Sequence, residues 1–158
     1  MARRAHDILA RTLNKLPLWA VAPLIRTWFA GWPLPGRFGD HTTSCVMCGA
    51  PGPIFHEHLQ ECPKVSAWSE AFDPAGSLDV NGGLGALGLE QDPEEVKPLA
   101  TCLFWLGLWE AWLFVKHGRT HGSSTSTIRH RLRHAAIRDG RVAGAIKIVR
   151  GAGFLPAG

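Results

Sequence analysis

The segment from Cys45 to Cys62, CVMCGAPGPIFHEHLQEC, constrains the fold more than any other part of the chain. Two cysteines separated by two residues are followed by a histidine and a third cysteine, in the spacing Cys-x2-Cys-x9-His-x3-Cys. Thiolate and imidazole are the usual ligands of closed, tetrahedral zinc sites. The pattern therefore predicts one structural Zn²⁺ ion, with Cys45, Cys48, His58 and Cys62 as its ligands.

Helical geometry favours His58 over His56 as the fourth ligand. His58 and Cys62 are four residues apart and share one face of a helix, whereas His56 lies well off that face. His56 remains the alternative. Gly49 follows the cysteine pair, where a tight turn often needs a positive φ, and Pro63 biases Cys62 away from helical conformation. A redox-active cysteine pair would call for a thioredoxin-like βαβ setting, which the sequence does not indicate.

The charge changes sign twice along the 158 residues. Residues 1–41 carry six Lys/Arg against two acids, residues 42–115 two against ten, and residues 116–158 nine against one. The basic C-terminal part indicates either a polyanionic partner such as nucleic acid or a solvated helix face. Cysteines at metal spacing indicate a reducing compartment, so an intracellular location, nuclear or cytoplasmic, is expected. The Arg-rich start leaves mitochondrial import as a minor alternative.

Apolar periodicity and helix breakers predict mostly α-helical structure. Helices are expected at residues 3–15, from Pro17 with a bend or restart at Pro23, at 64–72, from Asp92 to about Lys116 and at about 125–138. The segment 140–153 fits a short helix or a strand. The stretch from Pro98 to Val115 has the length of a membrane span and one charge, Glu110. That charge would be costly in lipid, so we expect instead the central helix of a small core, with Cys102 as a buried thiol.

The predicted fold is a small, mostly α-helical domain built around a zinc knuckle, in which a Cys-x2-Cys turn is joined to a short ligand-bearing helix. Residues 1–72 are expected to form the N-terminal helices and the zinc-binding module, and 73–93 a flexible Gly-rich linker. Residues 94–150 are expected to form a tryptophan-rich helix and a basic helix packed on the module, and 151–158 a frayed tail.

Several short motifs surround the predicted ligands. They are FAGWPLPGR at 29–37, CVMCG at 45–49, EHLQECP at 57–63 and Trp68. Together they resemble the zinc-binding domain at the C-terminal end of reverse transcriptases of non-LTR (LINE-like) retrotransposons. The segment WLGLWEAW at 105–112 is similar to the tryptophan-rich helix that often follows in that family. The resemblance covers roughly residues 20–72 well and 100–140 less closely.

The chain also departs from that family. The family usually has four residues between the histidine and the cysteine, where this chain has three, and its Arg-Asn pair is replaced by residues 116–119, KHGR. Without any tyrosine there is no Tyr-x-Asp-Asp polymerase centre, and no endonuclease or RNase H carboxylate pattern is present. The resemblance implies a detached C-terminal fragment or a degenerate copy, which is not expected to be an enzyme.

The predicted function is a zinc-stabilised module that binds RNA or DNA largely without sequence preference, through phosphate contacts. The side chains expected to make those contacts are Arg37, Arg129, Arg131, Arg133, Arg138 and Arg141. The alternative is a protein-interaction module, or a remnant with no nucleic-acid role, that associates with a reverse transcriptase body or with itself through an exposed patch at Trp105, Trp109 and Trp112. No membrane contact is expected.

Overall fold

The computed structural model describes residues 2–28, 44–45, 47–51, 58, 61–78, 96–118 and 124–155. In these ranges the chain forms six α-helices and no β-strand. They are α1 (Ala2–Lys15), α2 (Leu18–Trp28), α3 (Pro63–Phe72), α4 (Lys97–Gly118), α5 (Thr125–Arg138) and α6 (Gly140–Gly151). The predicted fold class, a mostly α-helical domain with a zinc knuckle, is confirmed.

Helix α4 is the centre of the core, because it contacts each of the other five helices. It is long and apolar enough to cross a membrane by length and composition, but 83% of its most apolar window is buried inside the fold. That burial is typical of a core helix. The predicted start at Asp92 is wrong, since α4 begins at Lys97 with Pro98 in its first turn, where a missing N–H costs little. Residues 92–95 lie outside the described part of the chain.

Aromatic side chains from α3 and α4 fill the middle of the core. Trp68, Phe72, Phe104 and Trp105 are all fully buried. Trp68 packs edge-on against Phe72 at 5.3 Å and stacks on Phe104 at 6.2 Å between ring centroids. The indole N–H of Trp68 donates to the carbonyl of Phe104 at 3.3 Å, which satisfies its one polar atom. Helix α3 is thereby fixed against α4.

The exposed tryptophan patch predicted on α4 is not found. Trp105 is fully buried, Trp112 is 4% exposed, and Trp109 is half-buried and stacks on Trp112 at 5.2 Å. The guanidinium of Arg26 covers the ring of Trp109 at 4.7 Å. Self-association through these three side chains would therefore require the core to open.

Pro23 neither ends nor restarts α2, which runs from Leu18 to Trp28 as one helix. Proline costs the helix one hydrogen bond because it lacks an N–H. The hydroxyl of Thr27 donates to the carbonyl of Pro23 at 2.9 Å inside the same helix. The apolar face of α2, including Leu24, packs on α4 and compensates for the lost backbone bond.

The two C-terminal helices share one boundary residue, Asp139. Helix α5 starts where Ser124 accepts a hydrogen bond from the Thr127 N–H at 3.2 Å, as a serine N-cap predicts. Asp139 ends α5 and caps α6 by accepting from the Arg141 N–H at 2.9 Å. Of the segment 140–153, for which the sequence fits a helix or a strand, residues Gly140–Gly151 are therefore helical.

The prediction of a frayed tail at 151–158 is wrong for residues 151–155, which are the part of the tail that the structure describes. Phe154 and Leu155 are 6% and 3% exposed, and the Leu155 N–H donates to the Phe72 carbonyl at 2.6 Å. Burial of two large apolar side chains stabilises this end against α3.

Within the predicted linker, residues 73–78 form a turn in which Asp73 accepts from the Leu78 N–H, and 79–93 lie outside the described residues. The proposed division into domains stays a prediction.

Candidate metal centre

The first two candidate ligands lie on a tight turn closed by backbone hydrogen bonds. The Cys45 N–H donates to the Ala50 carbonyl, and the Gly49 N–H donates to the Cys45 carbonyl, both at 2.7 Å. Gly49 has a φ of 80°, the positive value predicted for it and one that L side chains rarely adopt. The turn thus aims the thiols of Cys45 and Cys48 at one point.

The second pair of candidate ligands leads directly into α3. His58 has helical backbone, and Cys62 is extended, with φ −68° and ψ 115°, as the following Pro63 predicts. Cys62 is the N-cap residue of α3, and its carbonyl accepts hydrogen bonds from the Val65 and Ser66 N–H groups at 3.0 Å. A metal held by Cys62 is therefore connected rigidly to the helix that carries Trp68 into the core.

The four side chains converge on one point. One ligand atom from each of Cys45, Cys48, His58 and Cys62 lies within 4.8 Å of the other three, and Cys48 Sγ is 3.2 Å from His58 Nε2. Tetrahedral zinc with bonds of about 2.3 Å to sulfur and 2.0 Å to nitrogen sets ligand separations of roughly 3.5–3.8 Å. The widest separation needs to shrink by about 1 Å on metal binding. The geometry brings His58 to the site, while His56 lies outside the described residues.

Hydrogen bonding between two of the candidate ligands shifts their pKa values in opposite directions. The pKa of Cys45 is raised, mainly by its hydrogen bond with the Cys62 side chain and then by burial. The same bond lowers the pKa of Cys62 to about 5, against the effect of burial and with help from backbone N–H groups at the start of α3. Metal ligation requires deprotonated sulfur, and the lowered pKa of Cys62 favours that form.

The remaining cysteine plays no part in this site. Cys102 on α4 is fully buried, and its Sγ donates to the Ala20 carbonyl at 3.6 Å. Burial raises its pKa. It is the buried apolar thiol that the sequence predicts. None of the four cysteines forms a disulfide bond.

Two of the arginines predicted to contact nucleic acid bind the carboxylate of Glu110, which is buried in the core. Arg138 donates to Glu110 Oε1 at 2.7 Å, and Arg131 donates to Glu110 Oε2 at 3.5 Å. The Glu110 side chain is only 6% exposed. Arg138 also covers the Trp19 ring at 4.0 Å. These guanidinium groups balance a charge buried on α4 and hold α5 against it.

The other predicted arginines differ in what they contact. Arg141 donates to Asp139 Oδ2 at 3.4 Å, Arg129 donates to the Ala71 carbonyl at 3.3 Å, and Arg133 is exposed on α5. Arg37 lies outside the described residues. Phosphate binding by any of these side chains stays a prediction.

Sequence reasoning missed that Glu110 pairs with two of the predicted arginines. Glu110 is the one charge between Pro98 and Val115, and a charge in a buried helix needs an opposite charge beside it. The basic helix that follows is the obvious source of that charge. This signal would have predicted that some of the arginines pair with Glu110.

Comparison of the chain with protein-family models, with curated proteins and with solved structures found no match in any of the three. The resemblance to the reverse transcriptase zinc-binding domain therefore rests on the short sequence motifs alone and stays a prediction.

Proposed function

We propose that the chain is a zinc-stabilised helical module that binds nucleic acid through α5 and α6. The proposal that the chain binds zinc rests on one observation: the ligand atoms of Cys45, Cys48, His58 and Cys62 all lie within 4.8 Å of one another. Three sulfurs and one imidazole suit zinc, because soft thiolates and imidazole in a tetrahedral arrangement are its preferred ligands.

A zinc ion in this site would act structurally. Four protein ligands complete a tetrahedral shell, whereas catalytic zinc sites keep one position open for water or substrate. The ion would join the Cys45–Cys48 turn to the start of α3, and its binding free energy would add to the stability of the fold. We therefore propose a binding module rather than an enzyme.

The charge of the C-terminal helices supports the nucleic-acid part. Residues 125–151 carry seven Lys/Arg and one acid, Asp139. Arg131 and Arg138 donate to Glu110. Arg133, Lys147 and Arg150 are exposed. A cluster of basic side chains on adjacent helices attracts phosphates without reading sequence.

Fluorescence anisotropy on the zinc-loaded protein tests this function. If about three phosphates are contacted, a single-stranded oligonucleotide should lose roughly 20-fold in affinity between about 50 and 200 mM salt. Arg133→Gln and Lys147→Gln should each weaken binding and reduce the slope against log salt by about 0.7. Lys15→Gln on α1 removes the same charge elsewhere and should leave the slope unchanged. Absence of any oligonucleotide binding at about 50 mM salt would refute the proposal.

A further inference from the structure

A pair of histidines lies on the exposed side of α5. His130 and His134 are four residues apart, so they are neighbours on one face of the helix. Both residues are exposed, and their Nε2 atoms lie 3.0 Å apart. The ring centroids are 4.5 Å apart, with the ring planes at 71°. Two imidazole nitrogens therefore meet at the surface of the protein, within reach of a ligand from solvent.

The backbone beneath this histidine pair is held in place by the core. Ile128, Leu132 and Ala135 of the same helix are buried, and α5 contacts α3, α4 and α6. The backbone positions of the two histidines are therefore fixed, and a ligand that binds both has to order only their side-chain torsions. Such preorganisation lowers the entropic cost of binding.

The separation of the two Nε2 atoms matches that of adjacent ligands on one metal ion. Bonds of about 2.1 Å place two nitrogens about 3.0 Å apart at a right angle, and about 3.4 Å apart at a tetrahedral angle. The observed distance of 3.0 Å fits the right angle, which is the geometry of tetragonal Cu²⁺ and Ni²⁺. Helix α5 contains no acidic residue, so it offers no carboxylate of the kind that Mg²⁺, Ca²⁺ and Mn²⁺ prefer.

We propose that His130 and His134 chelate one divalent transition-metal ion that favours imidazole in tetragonal geometry, Cu²⁺ or Ni²⁺. Each Nε2 would donate its lone pair to the metal, so the remaining proton of each ring would lie on Nδ1. This site shares no residue with the candidate zinc centre, and it does not depend on nucleic-acid binding. With two protein ligands, the ion would keep positions open to solvent.

The charge of α5 determines how this site should respond to salt. The helix carries four arginines, of which Arg131 and Arg138 pair with Glu110. Their remaining positive potential opposes the approach of a cation, and salt screens it over a Debye length of about 10 Å at 0.1 M. Nickel binding should therefore hold or strengthen as salt rises, whereas phosphate binding should weaken.

Isothermal titration of the zinc-loaded protein with Ni²⁺ tests the proposal. Wild-type protein should bind nickel at this site without losing its zinc. His130→Gln and His134→Gln should each weaken nickel binding by at least about 10-fold, because the second bond to a chelated ion forms at high effective concentration. Both side chains are exposed, so neither substitution should change the far-UV circular dichroism spectrum.

His6→Gln is the matched control. His6 lies on α1 with 78% of its side chain exposed, and no histidine lies four residues from it in the sequence. This variant should bind nickel as the wild type does.

Three results would overturn chelation by the histidine pair. They are no detectable nickel binding, nickel uptake that displaces zinc and is unaffected by His130→Gln and His134→Gln, and effects of those variants no larger than that of His6→Gln. In the first case the contact between the two rings only stabilises the helix, by about 0.2–0.5 kcal/mol. Each result leaves the proposals of zinc and nucleic-acid binding standing, because zinc content and oligonucleotide anisotropy test those separately.

Discussion

Gly107, in the middle of α4, is predicted to resist a substitution that normally stabilises a helix. A Cβ atom at this position would lie 3.1 Å from Ile128 Cγ2 and 3.1 Å from Trp68 Cζ2. Favourable carbon–carbon contacts lie at about 3.5–4.0 Å. Trp68 and Ile128 are both fully buried, and Trp68 is hydrogen-bonded to the backbone of α4. Neither side chain can easily move away.

Two opposing terms set the effect of Gly107→Ala. Alanine is about 0.8–1.0 kcal/mol more favourable than glycine inside a helix. One additional methyl group in a closely packed core costs about 1–3 kcal/mol. The packing term is expected to win, so the variant should be less stable than the wild type by up to about 2 kcal/mol.

Gly144→Ala is the matched control. Gly144 is exposed in the middle of α6, and beyond the adjoining backbone of that helix no atom lies within 4 Å of the position that a Cβ would occupy. This variant gains the helix-propensity term without the packing cost, so it should be more stable than the wild type by about 1 kcal/mol. The two variants should therefore differ by about 1–3 kcal/mol, which isolates the cost of the contact with Trp68 and Ile128.

Urea unfolding of the zinc-loaded proteins, followed by far-UV circular dichroism, measures this difference. For a chain of this size, each kcal/mol also shifts Tm by about 2–4 °C. If Gly107→Ala stabilises the protein as much as Gly144→Ala does, the packing of α3 and α5 on α4 described above is incorrect.

Two further predictions concern charged groups. Glu110→Ala should lower the free energy of unfolding by about 1–3 kcal/mol, which is less than for a fully buried pair because Arg131 and Arg138 are 26% and 54% exposed. Glu110→Gln keeps an acceptor for one arginine, so its free energy of unfolding should fall by less. Equal stability of the wild type and both variants in urea unfolding would refute the role of Glu110. The hydrogen bond from the Arg141 N–H lowers the pKa of Asp139. The charged carboxylate should therefore stabilise the fold at pH values above about 3.9, the pKa of an aspartate in the unfolded chain. This contribution should be lost as the pH falls through the lower pKa of Asp139 in the folded protein. The Tm advantage of the wild type over Asp139→Asn should accordingly shrink on acidification, and an advantage that grows would contradict the assignment.

Local signals in the sequence were enough to predict the candidate metal centre. The cysteine spacing, the glycine after the knuckle and the proline after Cys62 each act within a few residues, and Gly49 and Cys62 have the predicted backbone conformations. The start of α5 is equally local, because the Ser124 cap lies next to the helix that it begins. In such cases the residue that determines the conformation lies within a few residues of the turn or helix that it determines.

The errors concern contacts between distant residues. Leu155 binds the backbone of Phe72, and nothing near Leu155 in the sequence indicates that partner. Glu110 pairs with Arg131 and Arg138 of the next helix, whereas charge counting treats all arginines of that helix as unpaired surface charges. Helix α6 is ambiguous from its sequence because Val142 and Ile146 suit strands as well as helices, although Asp139 offers an N-cap signal. Tertiary packing decides each of these features.

Metal content measures the central claim most directly. Protein purified without added metal should contain one zinc per chain in the wild type, in His56→Ala and in Cys102→Ala, and none in His58→Ala. Such a result would establish Cys45, Cys48, His58 and Cys62 as a closed site in which neither His56 nor Cys102 is a ligand. A wild-type protein without zinc, or a zinc ion lost from His56→Ala and retained in His58→Ala, would contradict the account.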